Sequence, residues 1–319
     1  MLPTREALRL GRPQLVSTFA TAAEAAGVSS LWAGDSLLAR PLYDPIAVLS
    51  TAAAVTHRVN LGTGALLAPM RPIALTAQSL ASLDQLSGGR LIVGVGRGLD
   101  LPETRREFAA AGSPFEQRSR RLDDAISVWR ALWRSSPDAP AVFEAEYCTL
   151  DAVDFSPKPA QPDGPPIWIA GYGPRAFRRV AEVGDGWLPY PPRPEDYHVG
   201  WDAITSQAQA GGRDPGTITP AVMVNVSVGP NPASQIAMES YIETFYGYPL
   251  EMVSLLQACV SGQASQVVDT LRAYWDAGAR VFLLRLASLD DPLGALELAA
   301  SSVLPEVQSW ASEQGTVTA

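Results

Sequence analysis

The chain is poor in the residues from which most metal centres and nucleophilic triads are built. Its 319 residues include two histidines and two cysteines. His57 ends a helical stretch and His198 lies in a polar one, so we expect both to be structural or surface residues. The sequence has no G-x-S-x-G, H-E-x-x-H or Walker A pattern. These absences argue against a histidine-rich zinc site and a Ser-His-Asp triad, and we expect no metal.

No feature of the sequence indicates an oxidising compartment, a membrane or nucleic acid. Cys148 and Cys259 lie far apart and form no C-x-x-C motif, which favours a reduced, cytoplasmic setting. The longest apolar runs, such as 295–300, are far shorter than the roughly 20 residues that span a bilayer. No charged-then-apolar leader opens the chain, so we expect no secretory signal. The net charge of −9 argues against sequence-independent binding of nucleic acid.

Lysine and asparagine are scarce as well. Lys158 is the one lysine among 24 basic residues, so the other 23 are arginines. Together with abundant alanine, this composition is typical of a GC-rich genome, in which arginine is common for coding reasons. An arginine therefore indicates an anion site only where its local context supports one.

What the sequence has in abundance is an alternation of short apolar strands and helices. Strands are predicted at 29–33, 59–67, 90–96, 167–170, 186–190, 221–228 and 280–286. Helices are predicted at 14–26, 45–56, 73–86, 120–133, 175–183, 195–210, 266–277 and 292–310. This repeat predicts an α/β fold, a (β/α)8 TIM barrel in a single domain over 1–319. Only residues 1–3 remain for an eighth strand at the start, so the first strand looks short or truncated.

Two segments interrupt the alternation. Residues 135–166 are rich in proline, although 147–155 could hold a short hairpin. Residues 232–262 follow the seventh strand, counted with the truncated first one, and are predicted to be a mostly helical insertion. Its large apolar residues include Tyr241, Phe245, Tyr246, Tyr248, Met252 and Leu256. We expect a mobile cap that selects the substrate, with packing against a partner subunit as the alternative.

Two glycine-rich segments directly follow predicted strands. The first consists of Gly171, Tyr172, Gly173, Pro174, Arg175 and Ala176. It opens a helix, and backbone N–H groups at a helix start can hold a phosphate, although a tight turn without ligand is the alternative. In the second, Arg97 lies between Gly96 and Gly98 and offers a planar fork to a phosphate. Two such ends on one barrel face favour a shared phosphate site.

Two further strand ends carry candidate residues. Gly62 and Gly64 flank Thr63 and precede Ala65, and glycines inside a strand often mark a bulge or the close approach of a ligand. Asp35 follows Gly34 and precedes Ser36 at the end of another strand. Asp35 is either a cap of a turn or helix, or a polar group that faces the site.

Five segments, taken in order, resemble the bacterial luciferase-like family of flavin-dependent oxidoreductases, which use FMN or the deazaflavin F420. They are AGVSSLWAGDS (26–36), LGTG (61–64), LDQLSGGRLIVGVG (83–96), PIWIAG (166–171) and GDGW (184–187). The resemblance covers nearly all of the chain. It implies a (β/α)8 barrel with a substrate-capping insertion, in an enzyme that is usually a homodimer.

The resemblance also implies particular site residues. A non-prolyl cis peptide after the third strand, Gly64–Ala65 here, supports one face of the flavin. An arginine at the position of Arg97 contacts the flavin phosphate in the FMN branch, and the loop Tyr172–Ala176 completes that site. The cofactor-binding residues are then Thr63, Gly64, Ala65, Gly96, Arg97, Gly98, Gly171, Tyr172, Gly173, Pro174 and Ala176. The candidate catalytic residues are Asp35 and Ser36.

The chain departs from the family at two positions that bear on its chemistry. F420-dependent dehydrogenases often have Asp-His where this chain has Asp35-Ser36, and some have an acid where Arg97 stands. Reduced FMN is therefore the expected cofactor, with F420 as the alternative. The leading hypothesis is a monooxygenase that acts on a small organic substrate with O2 and with FMNH2 from a separate flavin reductase. The alternatives are an F420-dependent dehydrogenase or reductase that transfers hydride, and a non-catalytic flavin-binding protein.

Overall fold

The computed structural model describes residues 1–191 and 193–313. Within these residues the chain forms two compact units. The central unit is Ser30–Ile167, and the terminal unit is Met1–Ser29 with the described residues from Trp168 onward.

Helices and strands alternate through both units. The α-helices are α1 (Thr4–Arg9), α2 (Leu15–Ala25), α3 (Pro45–Val55), α4 (Ile73–Ser87), α5 (Pro102–Ala110), α6 (Arg118–Arg134), α7 (Pro174–Val183), α8 (Pro194–Ala210), α9 (Ala233–Tyr246), α10 (Leu250–Val253), α11 (Ala264–Asp276), α12 (Pro292–Ser302) and α13 (Leu304–Glu313). The strands are β1 (Ser30–Ala33), β2 (Asn60–Thr63), β3 (Leu91–Val95), β4 (Ala141–Ala145), β5 (Cys148–Val153), β6 (Ile167–Ile169), β7 (Gly186–Trp187), β8 (Thr219–Val228), β9 (Cys259–Gly262) and β10 (Val281–Leu286). Short 3-10 helices lie at Ala68–Met70, Phe115–Gln117 and Pro215–Thr217.

The central unit contains three parallel strands in the order β1, β2, β3. Helix α3 starts at Pro45 because the Asp44 carboxylate accepts hydrogen bonds from the first-turn N–H groups. Helix α4 ends at Gly88, whose φ of 72° lies in the left-handed region that favours glycine. Strands β4 and β5 form a separate antiparallel hairpin inside the proline-rich segment.

Glycine in β2 makes room for the largest side chain of β1. Trp32 is 1% exposed and lies opposite Gly62 in the parallel register. A Cβ atom added to Gly62 would lie 2.2 Å from Cε3 of Trp32. The glycine noted in the sequence is therefore required by packing in the core of this unit.

The terminal unit contains a second run of parallel strands. β6 pairs with β7, β7 pairs with the start of β8, and β10 pairs with β8 over six residues. β9 pairs with the last four residues of β8. The core of this unit includes Trp187, whose ring lies 4.8 Å from that of Tyr197 and 6.4 Å from that of Trp201.

Several elements differ from the sequence predictions. Helices α1 and α5 were not predicted, because α1 has only six residues and α5 is rich in charged residues. Strand β9 lies inside the predicted helical insertion, since its pairing with β8 is a tertiary contact. The predicted helix 292–310 is interrupted at Val303 between α12 and α13. Residues 1–3 form no strand.

Candidate active site

Asp35 follows β1 in the central unit and is fixed by an ion pair. Its side chain is 4% exposed and lies against Arg71. Oδ2 accepts from Nε of Arg71 at 3.2 Å and Oδ1 accepts from Nη2 at 3.0 Å. The backbone N–H of Leu67 donates to Oδ2 at 2.9 Å. This bidentate pair ties the segment after β1 to the segment after β2, so the contacts of Asp35 are internal.

Arg71 also donates from Nη2 to Oδ2 of Asp44 at 2.8 Å. Burial opposes the charge on Arg71, but Asp35 and Asp44 outweigh it and raise the pKa of the guanidinium. Burial alone would raise the pKa of Asp44, and the hydrogen bond from Arg71 instead lowers it. The three side chains therefore form one charged cluster at the carboxyl ends of β1 and β2.

Ser36 is held by a glutamate that the sequence did not indicate. Its Oγ donates to Oε1 of Glu107 at 2.6 Å and accepts from the N–H of Arg40 at 2.9 Å. The same Oε1 accepts from the backbone N–H groups of residues 37, 38 and 39 at 2.7, 2.9 and 2.9 Å. Glu107 lies on α5 and is 2% exposed. One buried carboxylate thus fixes the loop after β1.

The tip of this loop is apolar and open to solvent. Leu37 is 53% exposed and Leu38 is 62% exposed. Because their backbone is held by Glu107, these two side chains form a positioned apolar surface rather than a loose one. Such a surface suits contact with an apolar part of a ligand.

The segment after β2 carries the cis peptide that the resemblance implied. The bond between Gly64 and Ala65 is cis. Thr63 is fully buried, and its Oγ1 donates to the carbonyl oxygen of Gly94 at 2.7 Å. The N–H of Leu66 donates to the same carbonyl at 2.7 Å. Thr63 therefore joins the ends of β2 and β3.

Arg97 follows β3 and is exposed. Within the described residues its guanidinium makes no hydrogen bond or ion pair. Gly98 has a φ of 79°, and a Cβ there would lie 2.9 Å from Cγ2 of Thr104, so only glycine fits. The pKa of Arg118 is lowered first by burial and then by the charge of Arg97. Within the described residues Arg97 thus has free guanidinium donors, as an anion site requires.

The glycine-rich loop of the terminal unit follows β6 and opens α7. Gly171 and Gly173 have φ values of 141° and 104°. Gly173 is the N-cap residue, and no side chain in the described part of the chain caps the helix. Since Pro174 occupies the first turn, the free N–H groups there belong to Arg175 and Ala176. This helix start has the donors that a phosphate would use.

Tyr172 in the same loop presents a fixed aromatic surface. It is 50% exposed, and its hydroxyl donates to the carbonyl oxygen of Asp196 at 2.8 Å. Its ring is stacked on Trp187 at a centroid distance of 6.4 Å. Nε1 of Trp187 donates to the carbonyl oxygen of Gly171 at 2.9 Å. The loop is therefore held at Gly171 and at Tyr172.

The predicted site residues thus fall into two groups. Asp35, Ser36, Thr63–Ala65 and Gly96–Gly98 belong to the central unit, and Gly171–Ala176 belongs to the terminal unit. In each group the residues lie at or directly after the carboxyl ends of parallel strands. Their assembly into one cofactor site stays a prediction.

The insertion 232–262 differs from the expected cap in its aromatic residues. Tyr241 and Phe245 are buried, 2% and 8% exposed, in a cluster with Met238, Ile242 and Val253. These two aromatics therefore pack inside the unit, and the substrate-selecting role of the insertion stays a prediction. The large apolar residues of the insertion that are exposed are Ile236, Tyr248, Met252, Leu255 and Leu256.

A cleft of about 400 Å³ lies beside the carboxyl ends of β8 and β10. Its lining includes Val226, Ser234, Leu286 and Asp291. Oδ1 of Asp291 accepts from the N–H of Gly294 at 2.9 Å, so a carboxylate already occupies the start of α12. At the start of α12 the cleft therefore lacks the uncapped N–H groups found at α7.

The family model for luciferase-like monooxygenases matches residues 2–254. The chain belongs to this family. It is therefore a luciferase-like oxidoreductase. An F420-dependent hydroxymycolic acid dehydrogenase of Mycobacterium tuberculosis is 30% identical over 314 residues, which cover 91% of this chain and 83% of that protein.

Two solved structures share the fold of this family member. An F420-dependent secondary alcohol dehydrogenase in complex with an F420-acetone adduct matches with a TM-score of 0.78 and 23% identity, over 93% of this chain and 95% of that one. The monooxygenase RslO1 from Streptomyces bottropensis matches with a TM-score of 0.77 and 24% identity, over 91% and 92%. The predicted fold class, a TIM barrel of parallel strands and helices, is confirmed.

Among the described helices, none combines the length and the apolar composition needed to cross a lipid bilayer.

Proposed function

We propose that this family member is an F420-dependent oxidoreductase that transfers hydride between the deazaflavin and a small organic alcohol or carbonyl compound. The observation that carries this proposal is the similarity to an F420-dependent dehydrogenase over 91% of the chain. A fold neighbour bound to an F420-acetone adduct supports the same chemistry. This reverses the order of the two cofactors expected from the sequence.

The residues present fit a phosphorylated flavin or deazaflavin. Arg97 has an unpaired guanidinium, and the start of α7 has free N–H groups without a capping side chain. Arg97 and the start of α7 are proposed, independently of each other, to contact an anionic group of the cofactor. When bound, F420 supplies a ring carbon that accepts or donates hydride.

The other candidate residues of the central unit hold nearby segments in place. Thr63 holds the Gly64–Ala65 segment against β3, and Glu107 holds the loop that carries Leu37 and Leu38. The two leucines exclude water from the part of the substrate they contact. Asp35 and Ser36 make internal hydrogen bonds, so we assign them positioning roles.

A second candidate is oxygenation of a small organic substrate with O2 and FMNH2 from a flavin reductase. Arg97 favours it, because an arginine at this position contacts the flavin phosphate in the FMN branch of the family. The monooxygenase among the fold neighbours is compatible with it. The homodimer and the substrate-selecting role of the insertion also stay predictions.

Titration of the purified protein with F420 and with FMN, in both redox states, tests the proposal. We expect F420 to bind more tightly, and a secondary alcohol to reduce bound F420 in a reaction followed by absorbance. Tighter binding of reduced FMN, with oxygen consumption on substrate addition, would favour the second candidate instead. Binding of either cofactor without turnover of any alcohol or ketone tested would indicate a non-catalytic binder.

A further inference from the structure

In the terminal unit, polar residues of three neighbouring strands lie directly opposite one another. Asn225 of β8 lies opposite Cys259 of β9 and Arg285 of β10 in the two parallel registers. Residues opposite each other in parallel strands project to the same face of the sheet. Arg285 lies near the carboxyl end of β10, and active sites of this fold are built at the carboxyl ends of the strands.

Hydrogen bonds hold one corner of the Arg285 guanidinium. Its Nη1 donates to the hydroxyl oxygen of Tyr246 at 2.5 Å and to Oδ1 of Asn225 at 3.4 Å. The Tyr246 hydroxyl in turn donates to Oε1 of Gln257 at 2.9 Å. Asn225 is 1% exposed and its Nδ2 donates to the carbonyl oxygen of Ala258 at 3.1 Å. This network fixes the orientation of the guanidinium.

The opposite edge of the same guanidinium is free. Nε and Nη2 of Arg285 make no hydrogen bond with any described residue. Neither is among the fully sealed polar atoms that lack a partner, and Arg285 as a whole is only partly buried, so this edge is not closed off from solvent. Nε and Nη2 form the edge with which Arg71 holds the carboxylate of Asp35. In Arg285 the same edge binds no carboxylate of the described residues.

The charge of Arg285 is not neutralised by an ion pair within the described residues. The acidic side chain that interacts with it is Glu6 of α1, which forms no ion pair with it and accepts from the Tyr241 hydroxyl at 3.1 Å. Burial raises the pKa of Glu6, which favours its neutral form. Cys259 is a poor anion here as well, because burial raises its pKa to about 11. An anionic ligand would therefore meet an oriented guanidinium that forms no ion pair within the described residues.

We propose that the free edge of Arg285 binds the carboxylate of a small organic acid, held by two parallel N–H···O hydrogen bonds. The assignment of this acid as the substrate rests on the proposed function, whereas binding of the carboxylate does not. Asn225 and Tyr246 position the guanidinium, and the substrate carbon skeleton would extend from it toward the alcohol or carbonyl group that reacts.

Calorimetric titration of the purified protein with hexanoate tests the site, with hexan-1-ol as the uncharged probe of equal chain length. Wild-type protein is expected to bind hexanoate at least ~10-fold more tightly than hexan-1-ol, because only the carboxylate of hexanoate can accept two charge-assisted hydrogen bonds from the guanidinium. Arg285→Met should weaken hexanoate binding roughly 10- to 100-fold. Arg193→Gln removes an exposed positive charge of the same unit and should leave binding unchanged.

A second variant covers the case in which Arg285→Met does not fold. Asn225→Asp places a carboxylate beside Arg285, which compensates its charge, and should also reduce hexanoate binding while hexan-1-ol binding stays the same. Equal binding of hexanoate by wild type, Arg285→Met and Asn225→Asp would overturn the proposal, as would wild-type protein that does not distinguish hexanoate from hexan-1-ol. Loss of hexanoate binding in both variants together with a failed F420 titration would retain the carboxylate site and reject the proposed function alone.

Discussion

Arg71 of the central unit and Arg285 of the terminal unit are both partly buried arginines at the carboxyl ends of parallel strands, yet they have different partners. Arg71 forms ion pairs with two carboxylates, Asp35 and Asp44. Among the residues that the structure describes, Arg285 hydrogen-bonds to neutral groups only, on Tyr246 and Asn225. A buried cation that is already paired contributes to the fold, and one that is oriented but unpaired is available to a ligand. The comparison thus separates a structural arginine from a candidate binding one.

Stability should respond most strongly at the paired arginine. Asp35→Ala leaves Arg71 without its bidentate partner and should lower the free energy of unfolding by about 3 kcal/mol. Arg285→Met breaks no ion pair and should cost about 1 kcal/mol, mainly the hydrogen bond to Tyr246. Urea unfolding followed by circular dichroism measures both. An equal loss at both positions would remove the distinction between them.

The loop beside the paired arginine should depend on Glu107. Glu107→Ala leaves the Ser36 hydroxyl and three backbone N–H groups without their acceptor, and should cost about 2 kcal/mol. Limited proteolysis should then cut within 36–44 faster than in wild type. Glu116→Ala, an exposed acid nearby, is the control and should leave the cutting rate unchanged. An unaltered rate in Glu107→Ala would show that other contacts hold the loop.

A second unpaired arginine extends the comparison to the cofactor. Arg97→Ala should weaken cofactor binding roughly 10- to 100-fold and leave the unfolding midpoint unchanged, because Arg97 has no partner within the described residues. Fluorescence titration with F420 and FMN measures the effect. Arg106→Ala removes another exposed arginine of this unit and should bind as wild type does. A dissociation constant unchanged by Arg97→Ala would make Arg97 a solvated surface residue.

The smallest effects concern pH, and they have opposite signs in the two units. Arg71 lowers the pKa of Asp44 in the folded protein, so this pair stabilises above the ordinary carboxyl pKa of about 3.9 and loses its effect as pH falls through the lowered value. Asp44→Asn should therefore destabilise at pH 7 by less than about 1 kcal/mol, since the pair is partly exposed. At strongly acid pH the variant and wild type should agree.

Glu6, near Arg285, should behave in the reverse way. Its pKa is raised in the folded protein by burial, so stability is lost as pH rises through that value. Glu6→Gln should therefore be at least as stable as wild type at pH 7, and this advantage should disappear in acid. Thermal unfolding of the two variants between pH 3 and about 8 measures both trends. A destabilised Glu6→Gln at pH 7 would indicate that ionised Glu6 compensates Arg285.

The sequence indicated most of the fold and part of the site. Hydrophobic periodicity located β1, β2, β3 and the long helices, because each pattern is contained in one short segment. The glycine-rich ends around Arg97 and Gly171 were visible for the same reason. The sequence did not indicate that Tyr241 and Phe245 are buried, because residue type alone does not show whether an aromatic side chain in an insertion packs inside or faces a ligand.

By itself, then, the sequence determined the alternation of strands and helices, the family, and which strand ends carry glycine, arginine and acid. The tertiary structure alone decided which of these polar groups have partners. Asp35 meets Arg71 from 36 residues away, Ser36 meets Glu107 from 71, and Asn225 meets Arg285 from 60. Local patterns carry no record of such distant contacts, because the partner of a charged side chain is set by strand register and loop packing.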